Sequence, residues 1–237
     1  MTVPLSRRRA LAGLALGVPA LVLATACSAS EASEASEASA GGPDVRLHTD
    51  WTARPDGSAP DLGDDGVPFR VVRDGAGSAP SVVAGALVPA LPDRLSSSSI
   101  AQEMRARVRR IGASFTFGPG SAQGALTLAA WTAVPFVNAH CHLVLTPAQW
   151  LLGVVEEGTL RVVTQGTFRT PLPQGPTPSS VDVTVAGDTA TVRLPDGGST
   201  VARDPRFATT LGTVPCWGFY KTAPGGTDAR LLRSWAG

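Results

Sequence analysis

The chain has little of several residue types that usually carry chemistry. Across 237 residues there are one lysine, Lys221, one tyrosine, two methionines, three cysteines and three histidines. Three histidines exclude a multi-histidine metal cage, and three cysteines exclude a dense disulfide framework. Cationic and acidic side chains number 20 and 19, so the strongly basic balance of a nucleic-acid binder is missing. No P-loop, G-x-S-x-G elbow or dinucleotide glycine fingerprint occurs, and no cofactor is implied. What is plentiful is arginine over lysine together with 26 Gly and 20 Pro, the usage of a GC-rich genome.

A long clean apolar run is also missing. Ala10 to Ala26 is apolar but broken by Gly13, Gly17 and Pro19, short of the roughly 20 residues a spanning helix needs. With Arg7, Arg8 and Arg9 before it and small residues after it, the run reads as a secretory signal. Its end, Leu23-Ala24-Thr25-Ala26-Cys27, resembles a bacterial lipobox, with Ala24 where Leu is favoured. The expectation is a signal peptide over 1–26 and a lipid on Cys27, which would make the outer face of the cytoplasmic membrane the chain's first partner. An ordinary secretory signal that happens to contain a cysteine is the alternative. Ser6-Arg7-Arg8-Arg9-Ala10-Leu11 resembles a twin-arginine export signature, Arg7 and Arg8 being the pair; general secretion stays open beside it.

Residues 27–43 hold an E-A-S triplet repeat with Glu31, Glu34 and Glu37. Such a tract buries too little apolar area to offset chain ordering and reads as a solvated tether. The remaining stretch, 44–237, carries 17 basic and 16 acidic residues. Its neutrality points away from nucleic acid and anionic lipid and toward uncharged ligands such as glycans.

Short alternating runs separated by Gly, Pro, Asp and Ser predict an all-β domain over 44–237: two packed antiparallel sheets, about a dozen strands, and no second domain. In VDVTVAGDTATVRL, Val181, Val183 and Val185 alternate with polar residues. Gly187-Asp188 then makes a turn, and Ala190, Val192 and Leu194 resume the alternation, so a hairpin is predicted. SSSSIAQEMRARVRR has good helix formers, with Ser99 and Gln102 spaced as a capping box, and predicts one short surface helix.

With Cys27 assigned to lipid, Cys141 and Cys216 are expected to pair as a disulfide in an exported protein; two free thiols are the alternative. His140 and His142 share a strand face, but two ligands do not make a structural zinc site, so ordinary strand histidines are expected. Glu156-Glu157 before Gly158 face opposite ways and read as a turn, unlike the facing carboxylates of a glycosidase. Asp61, Asp64 and Asp65 are oxygen donors for calcium in principle, but not at EF-hand spacing; a polar loop is the simpler reading. Of five tryptophans, at least three are expected in the core. Trp51, beside the polar Arg54-Pro55-Asp56-Gly57-Ser58, is the candidate ligand contact.

Asp50-Trp51-Thr52-Ala53-Arg54-Pro55-Asp56-Gly57, followed by Asp65-Gly66-Val67-Pro68-Phe69, resembles the first strand and turn of concanavalin A-like or laminin G-like jelly-roll modules of bacterial surface proteins. ASFTFGPGSAQGALTLAAW, HLVLTPAQWLLGVV and VDVTVAGDTATVRLPDGG are similar in layout to the central strands of that fold. The resemblance covers most of 44–237 and implies two large sheets, with glycan binding or cleavage on the concave face. The E-x-D-x-x-E strand of glucanases and the alginate-lyase strings are missing; Gly218-Phe219-Tyr220-Lys221 is only a partial echo of the latter. No catalytic residues are therefore assigned. The leading expectation is a lipid-anchored glycan-binding module. A structural or protein-interaction component of the envelope, and a carbohydrate-active enzyme with an unfamiliar site, are the alternatives.

Overall fold

The computed structural model describes residues 47–74, 77–91, 97–119, 124–131, 139–221 and 229–237. The signal, Arg7, Arg8, Cys27 and the tether lie outside the described residues. Among the described residues, sixteen strands and one short α-helix follow in chain order. The first eight strands are β1 Leu47–Asp50, β2 Gly57–Ser58, β3 Arg70–Asp74, β4 Ser78–Val82, β5 Leu87–Ala90, β6 Ser97–Ala101, β7 Arg110–Phe117 and β8 Gly124–Trp131. Then come β9 Ala139–Leu145, β10 Gln149–Glu156, β11 Thr159–Thr167, β12 Ser179–Ala186, β13 Thr189–Arg193 and β14 Ser199–Arg203. Helix α1 spans Arg206–Thr210, and β15 Val214–Lys221 and β16 Ala229–Ala236 close the chain.

All strand pairs are antiparallel and form two sheets. The nine-stranded sheet runs β14-β13-β12-β7-β16-β5-β4-β2, with β1 also on β16; the seven-stranded one runs β11-β10-β9-β8-β15-β6-β3. The predicted two-sheet sandwich is the observed architecture. Between the sheets lies one main core, in which Phe115, Phe117, Leu126, Leu128, Trp217, Phe219 and Leu231 are fully buried. A fully buried side chain of this size contributes about 1.5–3 kcal/mol, so a core this broad needs no cross-link to hold the sheets together.

The predicted hairpin is present. Val183 faces Val192 and Val185 faces Ala190, with Gly187 at φ 60° in the turn. Glu156 ends β10, and Glu157 and Gly158 take φ 50° and 75° in the turn to β11, as expected.

Two expectations are corrected. The stretch predicted as a helix begins as β6, a strand flanked by β15 and β3. It continues as a loop whose backbone N–H groups are claimed across the fold: Gln102, Met104 and Val108 donate to the carbonyls of Pro215, Thr213 and Gly212. Tertiary bonds of this kind outcompete the modest helix preference of the side chains. The helix that does form, α1, lies about a hundred residues later in the chain.

The disulfide is the second correction: Cys141 and Cys216 are both buried free thiols. Cys141 pairs with Ala130 and Pro215 pairs with Ala130, so Cys216, one residue on, points to the opposite face of the same sheet. Strand β8 also stands between them, which separates the two chains by about 10 Å where a disulfide needs Cα atoms within about 7 Å. Cys141 faces the main core, where its Sγ lies 3.0 Å from the Thr210 hydroxyl. Burial pushes its thiol up to about 11, so it is an inert filler of the core. Cys216 packs outward with Ala101, Ala129 and Val214.

Candidate functional site

The residues singled out by sequence fall at three places, and a fourth place was not singled out. Asp50 caps a 3-10 turn over Trp51–Ala53, its side chain accepting from the Thr52 N–H, and the turn tucks the Trp51 ring inside. The ring is fully buried, its centroid 5.3 Å from that of Phe69, so Trp51 has no face for a ligand. Trp150 and Trp217 are likewise buried. Three of the five tryptophans are thus in the core, but one of them is Trp51, the residue expected at a ligand.

The aspartates weighed for calcium do structural work at a sheet edge. Strand β1 has β16 on one side only. On its other side the His48 N–H donates to Asp65 (3.0 Å) and the Asp50 N–H to Asp64 (2.7 Å). Asp65 also accepts from Val67 N–H and Gln102 Nε2, and Asp64 pairs with Arg54. The loop carboxylates thus satisfy the edge donors that would otherwise invite another strand. Among the described residues no group of three or more His, Cys, Asp or Glu side chains is placed to hold a metal.

On the outward face of β9, His140 Nε2 and His142 Nδ1 are 3.2 Å apart. Burial pushes the imidazoles down to about 2 and about 4, with the neighbouring ring adding to the shift at His140, so both are neutral at physiological pH. Tyr220 faces outward on β15, while the buried Lys221 donates to the Leu91 carbonyl (3.0 Å). Successive strand residues point to opposite faces, so Tyr220 and Lys221 do not share a site.

The fourth place is the outward face of the nine-stranded sheet. In register across five strands lie Arg193 on β13, Asp182 on β12, Gly112 on β7, Trp235 on β16 and His48 on β1. The Trp235 ring lies directly over Gly112, where any Cβ would collide with the indole. The Asp182 carboxylate holds the ring edge: its Oδ2 accepts from Trp235 Nε1 (2.9 Å) and from Arg110 Nε (2.8 Å). Asp182 Oδ1 has only a long contact, 3.5 Å, from the Thr184 hydroxyl. Trp235 is partly exposed, and Arg193, His48 and Arg233 around it are exposed. Asp50 pairs with Arg233 (3.1 Å); its carboxyl is held below the ordinary range first by the Thr52 hydroxyl and then by Arg233.

This arrangement is a ring held over the sheet beside a carboxylate and the exposed Arg193 guanidinium. A pyranose offers the matching surfaces, an apolar C–H face and a rim of hydroxyls. A cavity of about 20 Å³ lined by apolar groups such as Leu128, Cys141 and Phe207 holds no more than about one water.

Trp235 escaped the sequence reading for a definite reason. Plain alternation puts residue 235 on the same face as the buried Leu231, but β16 bulges between Leu231 and Arg233, and the extra residue reverses the phase. The readable signal was the small residue opposite it: Gly112 inside an otherwise bulky strand marks a close approach.

No family model and no curated protein matches the chain. Solved structures do. The exoplasmic/lumenal domain of VIP36 in its metal-free form aligns with a TM-score of 0.54 at 9% identity, covering 81% of this chain and 91% of that one. A Bacillus subtilis protein of unknown function with a galectin-like fold aligns at 0.52 and 14% identity, covering 77% and 96%. The fold is a galectin-like β-sandwich. The CBM2 module of the evolved Dit of Lactobacillus casei BL23 phage J-1 aligns at 0.50 and 15% identity, covering 81% and 94%. At such identities a galectin-like sandwich shares its fold with these proteins and nothing finer is transferred.

Proposed function

We propose that this protein is an exported, lipid-anchored module that binds a cell-envelope or extracellular glycan without cleaving it, and that the ligand stacks on Trp235. The observation that carries this reading is the indole laid flat over Gly112, its edge fixed by Asp182. An aromatic ring held still at the surface loses little freedom on binding, which is why such rings serve as anchors. Carbohydrate-binding and galectin-like folds among the structural neighbours support the class of ligand. The basic signal, the lipobox-like run ending at Cys27 and the acidic tether support export and anchoring.

The test is titration of the full-length chain in detergent against a panel of envelope polysaccharides, followed by tryptophan fluorescence. Wild type should bind at least one member, and Trp235→Ala should weaken that binding about tenfold or more, with circular dichroism confirming the fold. Unchanged affinity in Trp235→Ala, or no binding across the panel by folded wild type, defeats the reading.

A further inference from the structure

The chain is nearly neutral as a whole, but its charges are not mixed evenly. Five arginines face outward on the nine-stranded sheet: Arg110, Arg193, Arg203, Arg230 and Arg233. Facing outward on the same sheet, from β12 and β1, are two carboxylates, Asp182 and Asp50, and each is already bound to an arginine, at 2.8 Å from Arg110 and 3.1 Å from Arg233. Arg230 donates to the Val83 carbonyl and has no ion pair among the described residues.

Of the remaining cations, Arg193 lies in register with Asp182 and with Gly112 under the Trp235 ring. It is the direct cross-strand partner of Asp182, whose Oδ2 already accepts from Arg110 and Trp235. Asp196, in the turn that follows β13, is bonded to the backbone N–H groups of Gly198 and Arg169. Arg193 is exposed and has no ion pair among the described residues. A single buried-edge carboxylate between two guanidiniums leaves net positive charge beside the stacking ring. A guanidinium presents a planar fork that matches a carboxylate or phosphate with two parallel hydrogen bonds, a match that a neutral hydroxyl does not offer.

We infer that the saccharide stacked on Trp235 is an acidic one, whose carboxylate or phosphate is received by Arg193; this rests on the glycan reading of the same platform. It departs from the uncharged ligand suggested by the overall charge balance, because the neutral sum hides a cationic sheet face. Arg193 is thus the residue that sets ligand charge, and Trp235 the residue that sets ligand shape.

The experiment titrates the full-length chain at low salt with matched pairs: oligogalacturonate against its methyl ester, carboxyl-bearing polysaccharide fragments against their carboxyl-reduced forms, and glycerol phosphate oligomers against glycerol oligomers. At least one acidic member should bind about tenfold tighter than its neutral counterpart, and the advantage should shrink as salt is raised to screen the contact. Whether the carboxylate or the phosphate pairs show it identifies the source of the anion. Arg193→Gln, at an exposed position with no ion pair among the described residues, should erase the advantage, with circular dichroism confirming the fold. Equal binding of acidic and neutral members, or an acid preference that survives Arg193→Gln, overturns the inference, while the glycan reading stands if Trp235→Ala still abolishes binding. Failure of every probe to bind overturns both.

Discussion

At Gly112 the backbone is held from both sides: Trp217 Nε1 donates to its carbonyl from within the core (2.9 Å), and the Trp235 ring covers it from outside. The missing side chain is what lets the outer ring lie flat. Gly112→Ala places a methyl group inside that ring and forces it off the sheet. The expected cost is about 1–3 kcal/mol of stability, typical of overpacking, read by denaturant unfolding. Because the lost contact is the one Trp235 makes, the loss should be less than additive with Trp235→Ala in a double-mutant cycle. Additive losses would mean that the glycine serves something other than the indole.

The strands show which elements of the fold were legible in the sequence. The hairpin of β12 and β13 was readable because one face is apolar and the other polar, residue by residue, and Gly187 sits where φ turns positive. β6 was not, because its serines carry no apolar period. Ser98 is buried only by donating its hydroxyl to the Ser78 carbonyl (2.6 Å), a partner that becomes visible only in the folded chain. β16 misled by its bulge, and with it went the surface tryptophan of the platform. The cysteines misled for a related reason: two residues far apart in sequence say nothing of the face each will take. Register settles it, and it predicts that the unfolded protein, prepared without reductant, titrates two thiols from Cys141 and Cys216 and that reductant leaves the melting temperature of the folded protein unchanged. A mass lower by two hydrogens, with both thiols absent, would reverse that conclusion.

For the molecule as a whole, the sequence was informative about general architecture and silent about the site, since a neutral sum conceals how charge is distributed over a surface. Anchoring belongs to this scale as well. If Cys27 carries lipid, Cys27→Ser should move the protein from the membrane fraction to the soluble one and remove the lipid mass found on the wild-type chain. Retention of the variant in membranes, with no lipid mass on wild type, would leave the signal as an ordinary secretory one.

Strand β1 is the first described strand after the tether and pairs with β16 alone, Leu47 opposite Ala236 and His48 opposite Trp235. Tension applied through the residues before Leu47, while a ligand grips Trp235, therefore crosses a single strand spacing of about 5 Å. The load is then shared by the short β1 ladder to β16 and by the Asp64 and Asp65 carboxylates on the other edge of β1. If residues 27–43 tether the chain to a surface, the link between surface and ligand passes through that one corner of the sheet.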